Sequence, residues 1–222
     1  MTNIISDPRL TRRRAVALLG TAAAGLTLSA CSESEAQTAS GSVDFDKLVE
    51  TAPLEDKWLG PDDAKVTIVE YASATCPHCA TFHTTVFGEI KEKYIDTGKV
   101  RFAHREFPFD NLALAAFMLA RCAPNDGYYP MLSVLYQRQR AWARSENPKQ
   151  ALFDIAKLSG MDQEAFETCL RDQTLVDGIN AVRNAGAQDF DVDATPTFFI
   201  NGTKYSGGMS VEQMSTVIDD LL

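Results

Sequence analysis

The hydrophobic pattern changes its period after residue 72. The segment VTIVEYA, residues 66–72, is rich in β-branched and aromatic residues and predicts a buried strand, although it includes Glu70. Apolar positions then recur at spacings of three and four, which predicts one amphipathic helix ending near Gly98. VRFAHREF, residues 100–107, predicts a second strand, so this order indicates a parallel βαβ unit. The apolar stripe of the helix consists of Cys79, Phe82, Val86, Ile90 and Tyr94.

The rest of the chain predicts a helical block followed by a hairpin and a last helix. Residues from about 111 to 188 show helical patterns without a strand signal, interrupted by Pro-, Asn- and Gly-containing breaks. Strands return at TFFI and TKY, joined by Asn201-Gly202, a dipeptide that suits a type I′ turn. Ser210 and Gln213 resemble a capping box that opens the final helix. The breaks in the block are Pro124 to Gly127, Asn147-Pro148 and Ser159-Gly160.

The first thirty residues differ in kind from the rest and predict an export signal. Three arginines, 12–14, precede a mildly apolar run of residues 15–30 that is too short for a spanning helix. The arginines resemble a twin-arginine signal, with ordinary secretion as the alternative. Residues 28–31, Leu-Ser-Ala-Cys, resemble a lipobox, which predicts lipidation of Cys31; cleavage after Ala36 is the alternative. We expect residues 31–57 to form a tether and lead-in, of which residues 32–42 need no structure.

The net charge and the number of cysteines limit the partners and the disulfide bonds that the protein is expected to have. The net charge is −9, and removal of the signal would make it more negative, which disfavours nucleic acid as a partner. An exported chain meets an oxidising compartment, where cysteines pair. The five cysteines then divide into Cys31 and two pairs, Cys76 with Cys79 and Cys122 with Cys169. Cys122 and Cys169 both lie on inward helical positions, so two buried free thiols are the alternative to a structural disulfide.

The motif CPHC, residues 76–79, predicts redox chemistry. A cysteine just ahead of a helix faces unpaired N–H groups and the positive end of the dipole, and both favour its thiolate. His78 adds positive charge when protonated, and a stabilised thiolate favours the dithiol over the disulfide, which makes the disulfide an oxidant. Cys79 lies on the apolar stripe and is the more buried, so attack from solvent falls on Cys76. The product is a mixed disulfide between Cys76 and a client protein.

These residues resemble the DsbA family of thioredoxin-fold disulfide oxidoreductases, from about residue 58 onward. The resemblance rests on Cys76-Pro77-His78-Cys79 after a VEYAS strand and on Thr195-Pro196 before TFFING. It implies an α/β thioredoxin fold with a helical domain inserted between the βαβ unit and the C-terminal ββα unit. The implied segments are a thioredoxin-like part at 58–110, the inserted helices at 111–188 and a second thioredoxin-like part at 189–222.

The resemblance also implies roles for individual residues. Cys76 is the nucleophile, Cys79 its partner, and Pro77 and His78 the dipeptide that tunes them. Thr195 and a cis Pro196 face the disulfide and contact the client. The remaining implied roles are Glu70 as a buried acid that exchanges protons with Cys79, with a surface position as the alternative, and the pair Cys122 and Cys169 as a second disulfide. Phe82 is predicted to border a shallow apolar client groove, with a plain core position as the alternative.

The predicted function is therefore that of a periplasmic oxidoreductase which donates its disulfide to newly exported proteins. The resemblance implies reoxidation by a quinone-linked membrane protein similar to DsbB, no tightly bound cofactor and a monomer. Thr195, where enteric DsbA enzymes have an apolar residue, resembles disulfide isomerases, so an isomerase or reductase stays open. A metal-handling protein that uses Cys76, Cys79 and His83 is the other alternative. If His83 does not bind a metal, we expect it to be partly exposed at the rim of the active site. His104 is expected to be a structural residue.

Overall fold

A computed structural model describes residues 37–50 and 53–222 of the chain. The predicted export signal and Cys31 lie outside these residues. The six described strands form one sheet in the order β1-β6-β5-β3-β4-β2, in which β3 and β4 pair in parallel and the other pairs are antiparallel. The strands are β1 Gly41–Ser42, β2 Trp58–Leu59, β3 Val66–Ala72, β4 Val100–Glu106, β5 Thr197–Ile200 and β6 Thr203–Ser206.

The predicted βαβ unit is present, but its helix is not continuous. α2 spans Pro77–Thr85, α3 spans Phe87–Ile90, and a π-helical turn follows at Lys91–Ile95. The prediction of one helix was wrong because β-branched residues at 84–86 are stiff, and the hydroxyls of Thr84 and Thr85 donate to carbonyls one turn back. The apolar stripe is nevertheless buried along its whole length.

The helical block lies between β4 and β5 in the chain. Its breaks match the turn residues: Asn147 caps a helix by accepting the Gln150 N–H, and Gly160 takes a left-handed φ of 85° that closes a short 3₁₀ turn. The helices of the block are α4 Asn111–Cys122, α5 Tyr128–Gln137, α6 Gln139–Ala143, α7 Pro148–Ala156, α8 Gln163–Leu170 and α9 Gln173–Asp189.

The C-terminal hairpin and helix form as predicted. Asn201 and Gly202 have φ values of 45° and 83°, the left-handed values that a type I′ turn requires. The capping box of Ser210 and Gln213 opens α10, Val211–Leu221. This hairpin places Thr195-Pro196 immediately before β5.

The lead-in is more ordered than predicted. β1 extends the sheet beside β6, and Ser40 N–H donates to the Lys204 carbonyl at 2.8 Å. α1, Phe45–Val49, follows and buries Leu48. The expectation that residues 32–42 need no structure was wrong for residues 40–42, because β6 would otherwise present an unpaired edge.

β3 is buried along its whole length because helices cover both faces of the sheet. Ile68 packs towards α2 and α3, whereas Tyr71 packs towards α1 and α9. α9 approaches so closely at Gly186 that a β-carbon there would lie 2.6 Å from the Tyr71 ring. Alternation along the strand places Glu70 on the same face as Ile68, so this carboxyl group points at the redox helix. Within the described residues, none of the helices combines the length and apolar character needed to cross a bilayer.

Candidate active site

Cys76 occupies the N-cap position of α2, and Pro77 follows at the first helical position. The pKa of Cys76 is lowered to about 5 from an ordinary value of 9.0. The hydrogen bond from the Cys79 thiol contributes most, and it outweighs burial, which acts in the opposite direction. The Thr195 side chain and the backbone N–H groups of Cys79 and His78 lower the pKa further. Cys76 is therefore a thiolate at neutral pH.

Cys79 has the opposite properties. Its side chain is fully buried, and burial raises its pKa well above 9.0, assisted by the hydrogen bond to Cys76 and the nearby charge of Glu70. Both sulfurs are free thiols in this structure. Cys76 is 6% exposed against 0% for Cys79, so the sulfur expected to be attacked is the more accessible one.

The loop before β5 meets this pair. The Thr195–Pro196 peptide bond is cis, the geometry implied by the resemblance. In its thiol form, Cys76 donates from Sγ to the Thr195 carbonyl oxygen at 3.3 Å. Among the described residues, the buried Thr195 hydroxyl has no hydrogen-bond partner of its own within the usual distance. The Thr195 side chain is close enough to lower the pKa of Cys76, and its hydroxyl is polar enough to bind an incoming peptide.

Gln139, at the start of α6, supports the loop from the side of the helical block. Its Nε2 donates to the carbonyls of Ala74 and Cys76, each at 2.8 Å, and the side chain is buried. Sequence reasoning missed this residue, since an isolated glutamine in a helical pattern gives no signal of a partner 63 residues away.

Glu70 is fully buried, as the resemblance implies, and His83 is a partly exposed residue, as expected, although its ring is turned inward. The His83 side chain is 4% exposed, and its Nε2 lies 2.8 Å from Glu70 Oε2. The ring stacks on Tyr136 with centroids 4.3 Å apart and planes within 6°. His83 lies one helical turn after Cys79, so its ring lies on the inward face of α2 while the residue as a whole stays partly exposed.

A buried polar network continues from this point. His104, as expected, is a buried structural residue: its two ring nitrogens bond to the hydroxyls of Tyr128 and Tyr136, each at 3.1 Å. Burial lowers the pKa of His104 to about 4, so the ring is neutral at pH 7. Tyr128 also donates to Glu106, which pairs with Arg121 through two bonds.

The alternative metal site of Cys76, Cys79 and His83 does not assemble. The potential donor atoms that do come within 4.8 Å of one another, in the described residues, belong to Glu70, His83 and His104. These side chains already bond to one another and to tyrosine hydroxyls. The arrangement is a hydrogen-bond network and not an open coordination site.

Phe82 does not border a groove, contrary to expectation. It is 2% exposed and packs on Phe198, with ring centroids 4.6 Å apart, because α2 presents this position to the sheet. The cleft that does flank α2 has a volume of about 500 Å³. Its lining combines apolar residues with polar ones that include Thr81, Arg138 and Arg140.

The remaining predicted site residues lie as follows. Pro77 and His78 are exposed beside the reactive sulfur. Cys122 and Cys169 form a disulfide that joins α4 to α8, with Cα atoms 6.2 Å apart. The arrangement of the site permits thiol-disulfide exchange at Cys76, with Cys79 as the internal partner and a buried carboxyl group nearby.

Comparisons with known proteins agree with this geometry. The family model described as Thioredoxin matches residues 53–220. A Rickettsia felis protein described as a protein-disulfide oxidoreductase is 37% identical over 168 residues, which cover 75% of this chain and 60% of that protein. The chain thus spans about 60% of the length of this relative. A Bacillus anthracis protein, "Probable disulfide bond formation protein D", is 31% identical over 65% of this chain and 69% of its own length.

Solved structures give the same picture. The crystal structure of Wolbachia pipientis alpha-DsbA1 has a TM-score of 0.74 and 34% identity, covering 80% of this chain and 96% of that one. BdbD from Bacillus subtilis, at 20% identity and a TM-score of 0.66, is similar in fold. The helices inserted between β4 and β5 are therefore part of a shared architecture.

Proposed function

This chain belongs to the thioredoxin family as a DsbA-like member, and on that premise we propose that it is a protein-disulfide oxidoreductase. Its oxidised Cys76–Cys79 pair donates a disulfide to client proteins that contain cysteines. The observation that carries the proposal is the opposite acidity of the two sulfurs, with the pKa of Cys76 lowered to about 5 and that of Cys79 raised by burial. A stabilised Cys76 thiolate favours the dithiol form and makes the disulfide a strong oxidant.

The exchange proceeds in two displacements. A client thiolate attacks Cys76 Sγ, a client–Cys76 bond forms, the Cys76–Cys79 bond breaks, and the electron pair passes to Cys79 Sγ, which takes up a proton. The client's second thiolate then attacks the client sulfur of the mixed disulfide. The client disulfide forms and Cys76 leaves as a thiolate, which its low pKa makes a good leaving group. The client is oxidised by two electrons and the enzyme pair is reduced by two.

Oxidation of a reduced, unfolded protein with two cysteines tests this function. We expect the oxidised enzyme to form the client disulfide stoichiometrically, and Cys76→Ser to abolish the reaction. Cys79→Ser cannot form the internal disulfide, so it should also fail to oxidise the reduced client; mixed instead with the disulfide form of the client, its Cys76 thiolate should form a mixed disulfide and release one client thiolate, visible by non-reducing electrophoresis. Full activity of Cys76→Ser would contradict the proposal.

The direction of the reaction in the cell is proposed to be oxidation. The acidity of Cys76 supports an oxidase, whereas Thr195 before the cis proline keeps an isomerase or reductase as the alternative. Equilibration with glutathione mixtures separates them, since an oxidase should be almost entirely reduced at a ratio where an isomerase is partly oxidised.

We propose that the protein acts in the periplasm as a monomer after export. The arginine-rich start and the cysteine-containing motif at 28–31 support export and anchoring through a lipidated Cys31. A membrane protein that passes electrons to quinone would reoxidise the pair. Fractionation of cells that express Cys31→Ser tests the anchor: the variant should move from the membrane to the soluble periplasmic fraction.

A further inference from the structure

The proposed reaction requires a proton at a buried atom. When the disulfide is broken, Cys79 Sγ receives an electron pair in a site that is closed to bulk solvent, since the side chain is fully buried. Burial opposes a lasting negative charge there. The buried carboxyl group whose charge acts on Cys79 is that of Glu70, and its Oε1 has no hydrogen-bond partner within the described residues. Glu70 itself is 0% exposed, so it also needs a partner that exchanges protons with solvent.

His83 is placed to be that partner. Its Nε2 lies 2.8 Å from Glu70 Oε2, and the stack on Tyr136 together with contacts to Phe82 and Phe87 holds the ring in one orientation. The second nitrogen, Nδ1, bonds to no described residue, yet it is not one of the buried unpartnered atoms. Because Nε2 is turned towards the buried Glu70, we take Nδ1 as the nitrogen that meets solvent through the exposed 4% of the side chain.

His104 does not provide a second path by which Glu70 could exchange protons with solvent. His104 is the second histidine near Glu70, but both of its nitrogens bond to tyrosine hydroxyls and its side chain is fully buried. The titratable groups that face the Glu70–His83 pair are Cys79 on α2, His104 on β4, and Tyr129 and Tyr136 on α5. Among these described groups, His83 is the one that both bonds to the Glu70 carboxyl group and has a partly exposed side chain.

We propose that His83 is a positioning residue that acts through Glu70, holding the carboxyl group in place and relaying protons between it and solvent during each turnover. The inference rests on the proposed function. As the Cys76–Cys79 bond breaks, Glu70 Oε1 gives a proton to Cys79 Sγ through one water molecule. Glu70 Oε2 is reprotonated from His83 Nε2, and Nδ1 takes up the replacement proton from solvent. On reoxidation the same steps run in reverse.

Stopped-flow reduction of the oxidised enzyme by dithiothreitol, between about pH 5 and pH 8, tests the relay. Rates are divided by the thiolate fraction of the reductant. We expect the corrected wild-type rate to fall as pH rises, because the proton that Cys79 receives is drawn from solvent through this pair. His83→Phe preserves the stack on Tyr136 but has no ring nitrogen, so it should lower the rate by about tenfold to a hundredfold and flatten the profile.

Two further variants separate proton transfer from packing. His83→Gln keeps a hydrogen bond to Glu70 but lacks a nitrogen that can release and regain a proton, so it should be as slow as His83→Phe. In a Glu70→Gln background, His83→Phe should cause no additional loss, because the histidine acts through the carboxyl group.

The rates and pH profiles of these variants show whether His83 relays protons. Rates of His83→Gln equal to the wild type, an unchanged pH profile of His83→Phe, or losses that simply add in the double variant would each overturn the relay while leaving the oxidoreductase function intact. A wild-type enzyme that oxidises no thiol would overturn the proposed function itself, and the relay with it.

Discussion

At the scale of single residues, the two sulfurs of the active site differ because their neighbours differ. Cys76 ends an extended segment and faces the first N–H groups of α2, while Cys79 lies one turn inside the helix against the sheet. The helix N-terminus stabilises a negative charge on Cys76. The apolar core around Cys79 destabilises a negative charge there. Cys76 and Cys79 are only three residues apart, yet the first favours its thiolate form and the second its thiol form.

The acidity of Cys76 predicts how the stability of the reduced protein depends on pH. The folded pKa of about 5 lies below the ordinary value of 9.0, so the thiolate stabilises the reduced folded state most above pH 9. This stabilisation is lost as the pH falls towards 5. We expect the urea midpoint of the reduced protein to drop, relative to the disulfide form, between about pH 8 and pH 5.

The disulfide form is the matched control for this measurement, because neither sulfur titrates in it. A constant difference between the two midpoints across this range would mean that Cys76 has an ordinary acidity. Thiolate absorbance of the reduced protein over the same range gives an independent value of the pKa.

At the scale of elements, the register of β3 against β4 assembles the polar interior. Glu70 pairs with His104 in parallel, so their side chains lie on the same face of the sheet. Glu106, two residues further along β4, continues this row. α2, α4 and α5 cover it and supply His83, Arg121 and the tyrosines. Side chains from several helices thus supply hydrogen-bond partners for Glu70, His104 and Glu106, and most of the polar atoms of these three side chains are bonded.

The contact between α6 and the active-site loop predicts the effect of removing Gln139. Gln139→Leu leaves the carbonyls of Ala74 and Cys76 without this donor in a buried site, at a cost of about 1–3 kcal/mol in the free energy of unfolding. Gln137→Leu is the matched control, since Gln137 is exposed and bonds to Ser133. It should change the unfolding free energy by less than about 0.5 kcal/mol. Equal losses in the two variants, measured by urea denaturation, would show that the loop does not depend on Gln139.

At the scale of the whole molecule, the helical block is attached to the thioredoxin-like part by buried polar contacts and is closed internally by a disulfide. Arg121 on α4 pairs with Glu106 on β4, and both side chains are nearly inaccessible. The disulfide from Cys122 then links the end of the same helix to α8. The block is therefore held both to the sheet and within itself.

Loss of this disulfide should destabilise the protein. The bridge closes a loop with a sequence separation of 47, for which the loss of chain entropy in the unfolded state corresponds to about 4 kcal/mol. Cys122→Ser with Cys169→Ser should therefore lower the unfolding free energy by up to about this amount, measured with the active-site pair reduced in both proteins. An unchanged urea midpoint would show that the bridge contributes nothing to stability.

From residue 66 onward, the sequence by itself determined the order of the strands and the helical block, the hairpin turn, the last helix and the chemistry expected at Cys76. These features depend on hydrophobic period, turn residues and the position of a cysteine at a helix start, all of which act over a few residues. Even within this range, β-branched residues at 84–86 divided a helix that the stripe alone had predicted to be continuous.

Only the tertiary structure decided which side chains meet across elements. The helical spacing already placed Cys79 and His83 on one face, but not that β3 would present Glu70 to that face. It also did not indicate that Phe82 is covered by β5 or that Gln139 reaches the Cys76 loop. Such contacts depend on how elements far apart in the chain pack together, and local patterns do not contain that information.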